Sequence, residues 1–347
     1  MLSNRKNRLF HTLFLALLAL SVTGCAHLFG DHGSARGAAT PIDDGAATPD
    51  RHGQAPGYFR MRLGRFTLTA LYDGSIEIPS TQLKGASRAA IDRALRIVKQ
   101  PANVSTAVNA FLVDDGERVI LIDSGAGAMQ GDTLGKLQAN LAASGYAPED
   151  VTAVLLTHLH PDHAGGLIAE HGLAFPNAAL YVAQAEADFW LSGDRLNTDQ
   201  PYDQGLRRII AEYQARGSFH TFAGGTPPIE GIESVVLRGH TPGHTGYFIN
   251  ADGEMLLFWG DIVHSPGTQF ANPNITVAFD VDQKAARVTR NKLLRGAAQT
   301  GIWVAGAHMP FPGIGRILSV SNTSYRWLPV DYSQALAGPA QRQAAGR

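Results

Sequence analysis

The residues best suited to chemistry lie in one stretch, Thr157-His158-Leu159-His160-Pro161-Asp162-His163-Ala164-Gly165-Gly166, directly after the apolar run Val151 to Leu156. Imidazole suits zinc and its divalent neighbours, and a carboxylate adds a hard, charged ligand. Residues two apart on an extended segment point to the same side, so His158 and His160 can grip one ion. Pro161 then breaks the strand, and the chain can turn to aim Asp162 and His163 at a second ion. Three later groups stand at comparable places: His240 in Gly239-His240-Thr241-Pro242-Gly243-His244, Asp261 after Gly260, and His308 after Ala307.

The elements that must bring these groups together can be read from hydrophobic periodicity. Arg60 to Tyr72 alternates as a strand pair turning at Gly64, and Ser75 to Pro79 reads as a short further strand. Asn109 to Val113 and Val119 to Ile122 form a hairpin around Asp114-Asp115-Gly116. Helices are expected over Ser87 to Lys99, Leu134 to Ala143, Ala185 to Leu191, Leu206 to Ala215 and Val281 to Leu294. Gly165-Gly166 lets the backbone pass close to the site before a short helix, and Ser192 to Gly205 reads as irregular. Strands at Leu180 to Ala183, Ile232 to Leu237, Gly246 to Asn250, Met255 to Trp259 and Trp303 to Gly306 complete the core, the last being the final clear one. His158, His160, His240, Asp261 and His308 all fall just beyond such strands, so a sheet edge would gather them. Runs of strands alternating with helices, twice over, predict two β-sheets packed face to face with helices outside.

The chain has 347 residues and net charge −1, which supports one large domain or two smaller ones and argues against nucleic acid as a partner. Residues 1–25 read as a lipoprotein signal peptide: Arg5, Lys6 and Arg8, an apolar stretch from Leu9 to Leu20, then Val22-Thr23-Gly24-Cys25 in the manner of a lipobox. Cys25 is the single cysteine, so no intramolecular disulfide is available, and its lipidation would anchor the protein to a membrane. Ala26 after it leans towards the outer membrane of a bacterial envelope; plain secretion to the periplasm is the alternative. Residues 26–56, with His27, His32 and His52, read as a disordered tether, 57–335 as the folded domain and 336–347 as a disordered tail.

His158-Leu-His160-Pro-Asp162-His163, Gly239-His240-Thr-Pro-Gly, Gly260-Asp261 and Ala307-His308 together resemble the metallo-β-lactamase superfamily, in order and separation, over roughly Tyr58 to Tyr332. The resemblance implies an α+β fold, a four-layer αβ/βα sandwich, with the site at one edge of the sheets. It divides the ligands: His158, His160 and His240 for one metal, Asp162, His163 and His308 for the other, Asp261 between them. Segments such as Tyr58-Phe-Arg-Met-Arg-Leu-Gly, Ala187-Asp-Phe-Trp190-Leu-Ser and His308-Met-Pro-Phe-Pro-Gly-Ile-Gly resemble the methyl parathion hydrolase and lactonase branch. True β-lactamases fit less well, because no cysteine lies near Asp261.

Such a centre would hold two divalent ions, zinc by default, with manganese, iron or cobalt as alternatives. Two bound cations lower the pKa of water to near 7, which would supply a bridging hydroxide for attack on a lactone, an aryl ester or an organophosphate triester. The resemblance places Asp162, Asp261 and His264 closest to the chemistry, with His264 lining the pocket and donating a hydrogen bond or proton to the leaving group; a solvated loop histidine is the alternative. It places Trp190 in the pocket wall, and Gln130 where the organophosphate hydrolase has a phenylalanine, which favours lactones and esters. Asp123 ends a strand where it could accept a hydrogen bond from a ligand imidazole; a strand-end turn aspartate is the alternative. His244 reads as supporting the fold or a ligand, and His171 and His220 as surface residues. A small-molecule substrate is the expected partner, and a homodimer follows by the same analogy. The rivals are a thioester hydrolase like glyoxalase II, which the missing basic C-terminal helical domain disfavours, and a non-catalytic periplasmic binding protein.

Overall fold

The computed structural model of the chain describes residues 53–169, 172–192 and 201–334. The expected signal peptide with Cys25, nearly all of the expected tether, the expected tail and His171 lie outside the described residues. No described helix is long and apolar enough to cross a membrane.

Two large sheets make the core. The first has the order β1-β2-β4-β5-β6-β9-β10, with β1 Tyr58–Leu63, β2 Phe66–Pro79, β4 Asn103–Asp114, β5 Val119–Ile122, β6 Val151–Leu155, β9 Ala179–Ala183 and β10 Phe219–Phe222. The second has the order β11-β12-β13-β15-β16-β17, with β11 Glu233–Val236, β12 Thr245–Ala251, β13 Glu254–Phe258, β15 Trp303–Ala305, β16 Ile314–Ser321 and β17 Ser324–Pro329. Two small ribbons pair β3 (Leu83–Lys84) with β14 (Thr276–Val277) and β7 (Ile168–Ala169) with β8 (Gly172–Leu173).

The two-residue period of a strand explains the layers. On β4, Phe111 and Val113 join Ile122, Leu155, Tyr247, Ile249, Leu256 and Phe258 between the sheets. Their neighbours Ala110 and Leu112 face the other way, into a core with Leu137 and Leu141 of α2 (Leu137–Ala143), Ala187 of α4 (Gln184–Leu191) and Leu206, Ile209 and Ile210 of α5 (Pro201–Ala215). On β13, Leu257 turns outward to pack with Val304 and with Leu294 and Ala297 of α7 (Gln283–Thr300). The result is the four-layer αβ/βα sandwich that the sequence predicted. The remaining helices are α1 (Arg88–Ile97), α3 (Pro161–Ala164) and α6 (Pro266–Gln269).

Several local expectations change. Ser75 to Pro79 is no separate strand; β2 runs on through it after a bulge at Asp73, whose carboxylate accepts from the Ala126 and Leu137 amides. A short α-helix comes before Gly165-Gly166, with Pro161 at its start; the glycines then open a single 3-10 turn, Gly165–Leu167, and a two-strand ribbon follows it. The glycine pair does pass close to the first sheet: a Cβ on Gly166 would stand 1.8 Å from the Ser124 carbonyl oxygen. Helix α5 begins at Pro201, inside the stretch expected to be irregular. Trp303–Ala305 is followed by two more strands, β16 and β17, so it is not the last of the sheet.

Strands β5, β6 and β9 run parallel, as do β13 and β15. Their C-terminal ends therefore open at one edge, where ligands of open α/β sheets ordinarily bind.

Candidate metal centre

Each strand end at that edge delivers one group. β6 leads to His158 and His160, and α3 turns Asp162 and His163 inward. The loop after β11 carries His240, β13 leads to Asp261, and β15 to His308. All are buried except His160, which is partly exposed. Two groups of potential ligand atoms lie within 4.8 Å of one another: His158, His160, His240 and Asp261, and then Asp162, His163 and His308. A third such group, Asp261, His264 and His308, shares two members with them. Asp261 faces both sides: Oδ1 is 3.1 Å from His163 Nε2, and Oδ2 is 3.1 Å from His240 Nε2 and from His308 Nε2.

The second nitrogen of each ring decides what the first can do. His163 Nδ1 bonds Asp123 Oδ2 at 2.9 Å, His240 Nδ1 bonds Asp280 Oδ1 at 2.9 Å, and His308 Nδ1 bonds the Ala107 carbonyl at 2.9 Å. These partners only accept, so Nδ1 carries the hydrogen and Nε2 presents a lone pair to the centre. His160 Nδ1 meets His158 Nε2 and His240 Nε2, each at 2.9 Å. The Nε2 lone pairs of His163, His240 and His308 thus face carboxylate oxygens in a buried space, and a single proton on His160 Nδ1 would have to serve both His158 and His240. His163 Nε2 and Asp261 Oδ1 have no hydrogen-bond partner at all. Such a set is stable only with positive charge between its members, which divalent cations supply. The residues fit two such ions.

The proton affinities carry the same message. Burial pulls His163, His240 and His308 down, but the carboxylates of Asp261 and its neighbours outweigh it and leave all three raised, His240 to about 9. Burial pushes Asp261 up, yet the surrounding imidazoles hold it well below the usual carboxylate range. Burial and neighbouring rings keep His158 and His160 well below normal. The centre draws in cationic charge and cannot spread it evenly over protons alone.

Supporting residues fix this geometry. Asp123, in a left-handed conformation at φ 59, also accepts from Thr157 N and Thr157 Oγ1 and so ties β5 to the start of the histidine stretch. Asn109 on β4 donates from Nδ2 to Ala307 O at 3.0 Å and Met309 O at 2.7 Å, and holds the His308 loop across the two sheets. His244 donates Nδ1–H to Leu237 O, and its Nε2 accepts the Asp261 amide at 3.1 Å. That role requires a neutral ring, and burial takes its pKa down to about 3. Gly260 (φ 54) makes the approach possible, because a Cβ there would lie 2.4 Å from His244 Nε2.

Sequence reasoning missed Asp280, Arg290, Glu186 and Phe279. Asp280 sits 40 residues from His240, with nothing local to mark it. Arg290 of α7 is buried 3.8 Å from Asp280 Oδ2 and donates to the Ile262 and Ile275 carbonyls. Asp280→Asn would place an amide against His240 Nδ1–H, so the variant is expected to bind metal about 10- to 100-fold more weakly. Competition with a chromophoric chelator measures this directly.

A cavity of about 240 Å³ opens on the centre, lined among others by Ile76, Gln130, His264, Phe279 and Asp261. His264 is buried, its ring stacked on His308 at 4.9 Å, so it is no solvated loop histidine. Its expected donor role changes, however. Nε2 is 3.1 Å from Asp261 Oδ2, a carboxylate that can only accept, so Nε2 carries the hydrogen. Nδ1 is buried without a partner and is left as an acceptor. Trp190 stands beside this cavity, its ring 5.5 Å from that of His160, which lines it, and its Nε1–H bonds Glu186 at 2.7 Å. Phe279 is a further aromatic in the lining, 5.2 Å from the His264 ring. His220 is exposed on β10, as expected.

Comparison with known proteins agrees with this architecture. The family model for the metallo-beta-lactamase superfamily matches residues 105–299, more than half of the chain. A probable metallo-hydrolase of Mycobacterium bovis is 26% identical over 214 residues, which cover 55% of this chain and 67% of that protein. The structure of the hydrolase AbOPH, in the beta lactamase superfamily, superposes with a TM-score of 0.77 at 38% identity, over 81% of this chain and 99% of that one. The dizinc quorum-quenching lactonase AidC, solved with a bound product, gives a TM-score of 0.69 at 25% identity, over 80% and 98%. With its fold, its histidine–aspartate centre and these relatives in agreement, the chain belongs to the metallo-beta-lactamase superfamily, as a metallo-hydrolase.

Proposed function

We propose that the protein is a dinuclear hydrolase that opens lactones, foremost N-acylated amino lactones, and cleaves aryl esters more slowly. The observation that carries the reading is the convergence of buried, outward-braced imidazoles on Asp261 beneath a small cavity. His158, His160 and His240 would hold one ion, Asp162, His163 and His308 the other, with Asp261 shared. When bound, such ions supply Lewis acidity and lower the pKa of water; zinc suits the nitrogen and oxygen donors.

The chain's own residues do the rest. Asp123, Asp280 and the Ala107 carbonyl hold three rings in the tautomer that leaves Nε2 free for binding. Phe279 gives an apolar side to the cavity, and Ile76 extends it. The volume suits a small ring, with an acyl chain reaching outward past Gln130, which is exposed at its rim. The likeness to AidC supports the same substrate class.

A substrate panel on metal-replete protein tests the proposal. N-acyl homoserine lactones should be turned over fastest, then γ-lactones and aryl esters, with methyl parathion slowest. His264→Ala should lower kcat/KM about tenfold on lactone and ester alike, because its ring stacks on His308 and its Nε2–H holds Asp261 Oδ2. A preference for methyl parathion would contradict the substrate class, and a loss confined to one substrate would remove this supporting role of His264.

A further inference from the structure

Glu186 is a carboxylate buried to zero exposure, outside both groups of ligand atoms. It lies in the first turn of α4. Burying a charge on that scale is costly unless every lone pair is met. Here all are met. Oε1 accepts the Leu159 amide at 2.9 Å and Trp190 Nε1–H at 2.7 Å. Oε2 accepts Thr241 Oγ1–H at 2.7 Å and the Gly243 amide at 3.0 Å. Burial pushes its proton affinity up and these four donors oppose it. Three of them are N–H groups that cannot accept, so a carboxylate meets all four where a carboxylic acid would need Thr241 to turn.

The identity of these donors gives the residue its meaning. Leu159 stands between His158 and His160 in the chain, and Thr241 and Gly243 follow His240. Trp190 is the residue whose ring edge rests on His160. One side chain therefore ties together the two loops that carry His158, His160 and His240, and braces the ring of the most exposed of them. None of its four donors belongs to the segments of Asp162, His163 or His308.

We infer that Glu186 is a positioning residue for one half of the centre: it sets the spacing of the His158–His160 and His240 loops, and so the affinity for the ion they hold. The inference rests on the two-ion reading above. Glu186→Gln is the sharp test because it keeps the shape. An amide nitrogen on the Oε1 side would face two N–H donors. On the Oε2 side the Thr241 hydroxyl can reverse and accept, but the Gly243 amide is left unpaired. The damage thus falls on the His240 loop.

The experiment titrates cobalt(II) alone into the metal-stripped full chain. It reads both binding constants by chelator competition and the ligand-field absorption of each ion. Leu141→Ala, a core truncation in α2 against the helix-side core, serves as the control for general softening. The expected result for Glu186→Gln is a loss of about 10- to 100-fold in one affinity, with a changed spectrum for that ion and the other affinity preserved. Leu141→Ala should keep both. Wild-type-like affinities and spectrum in Glu186→Gln would overturn the inference, as would an equal loss in Leu141→Ala. If Glu186→Gln does not fold, Thr241→Val removes one of the four bonds, keeps the carboxylate, and must weaken the same single site. A wild-type stoichiometry of one would sink the two-ion reading, while the ratio of variant to wild-type affinity still decides the role of Glu186.

Discussion

Asp261→Asn should lower kcat/KM by about three powers of ten, the equivalent of about 4 kcal/mol in the transition state. The size follows from its place. Among the described residues, Asp261 is the carboxylate that meets histidines of both groups, His163 through Oδ1 and His240 and His308 through Oδ2. An asparagine keeps the shape but removes a negative charge and turns one of those oxygens into a donor. An amide nitrogen offers no lone pair to a cation, so the side it faces, His163 or the His240 and His308 pair, would lose its share of Asp261. The backbone anchor from the Asp261 amide to His244 would survive, so the variant should fold. Steady-state kinetics with a parallel melting curve separates the two effects. A loss below tenfold in a well-folded, metal-loaded variant would mean that Asp261 is not shared by the two ions.

Stripping the metal should abolish hydrolysis and lower the melting temperature by about 10 °C, restored on adding zinc. A ligand present at about a thousand times its Kd stabilises by about 4 kcal/mol, and in a domain of this size each kcal/mol is worth about 2–4 °C. The structural reason is the crowding of ring nitrogens around His160 and of Nε2 atoms against Asp261. Without divalent cations the charge balance in that region falls to protons on rings such as His240, which brace fewer groups at once. The sandwich core between the sheets is separate from it and should persist, so the stripped protein is expected to melt cooperatively at the lower temperature. Calorimetry on stripped and reloaded samples decides it.

How much of this could be read beforehand depended on whether the signal was local. His158, His160, Asp162 and His163 crowd into six residues, and His240, Asp261 and His308 each follow an apolar strand. Strand ends at one edge then brought them together, which periodicity alone could anticipate. The supporting residues had no such signature. Glu186 meets Leu159 across 27 positions and Gly243 across 57, and Asp280 meets His240 across 40. Each is an ordinary acidic residue until the tertiary fold gives it a partner. Trp190 and His264 were singled out for the right region, but their atoms were committed elsewhere: the indole N–H to Glu186, the imidazole Nε2–H to Asp261. Strands β16 and β17 escaped because much of them is exposed, with Leu318, Val320 and Leu328 open to solvent, so no buried run announced them.

The most direct test of a two-ion centre is a titration of the stripped chain with zinc, following the opening of an N-acyl homoserine lactone against equivalents added. Activity should rise to a plateau at two zinc ions per chain, with two ions found by elemental analysis at the plateau. Full activity at one ion per chain, or in the chelator-treated protein without any, would contradict a two-ion centre.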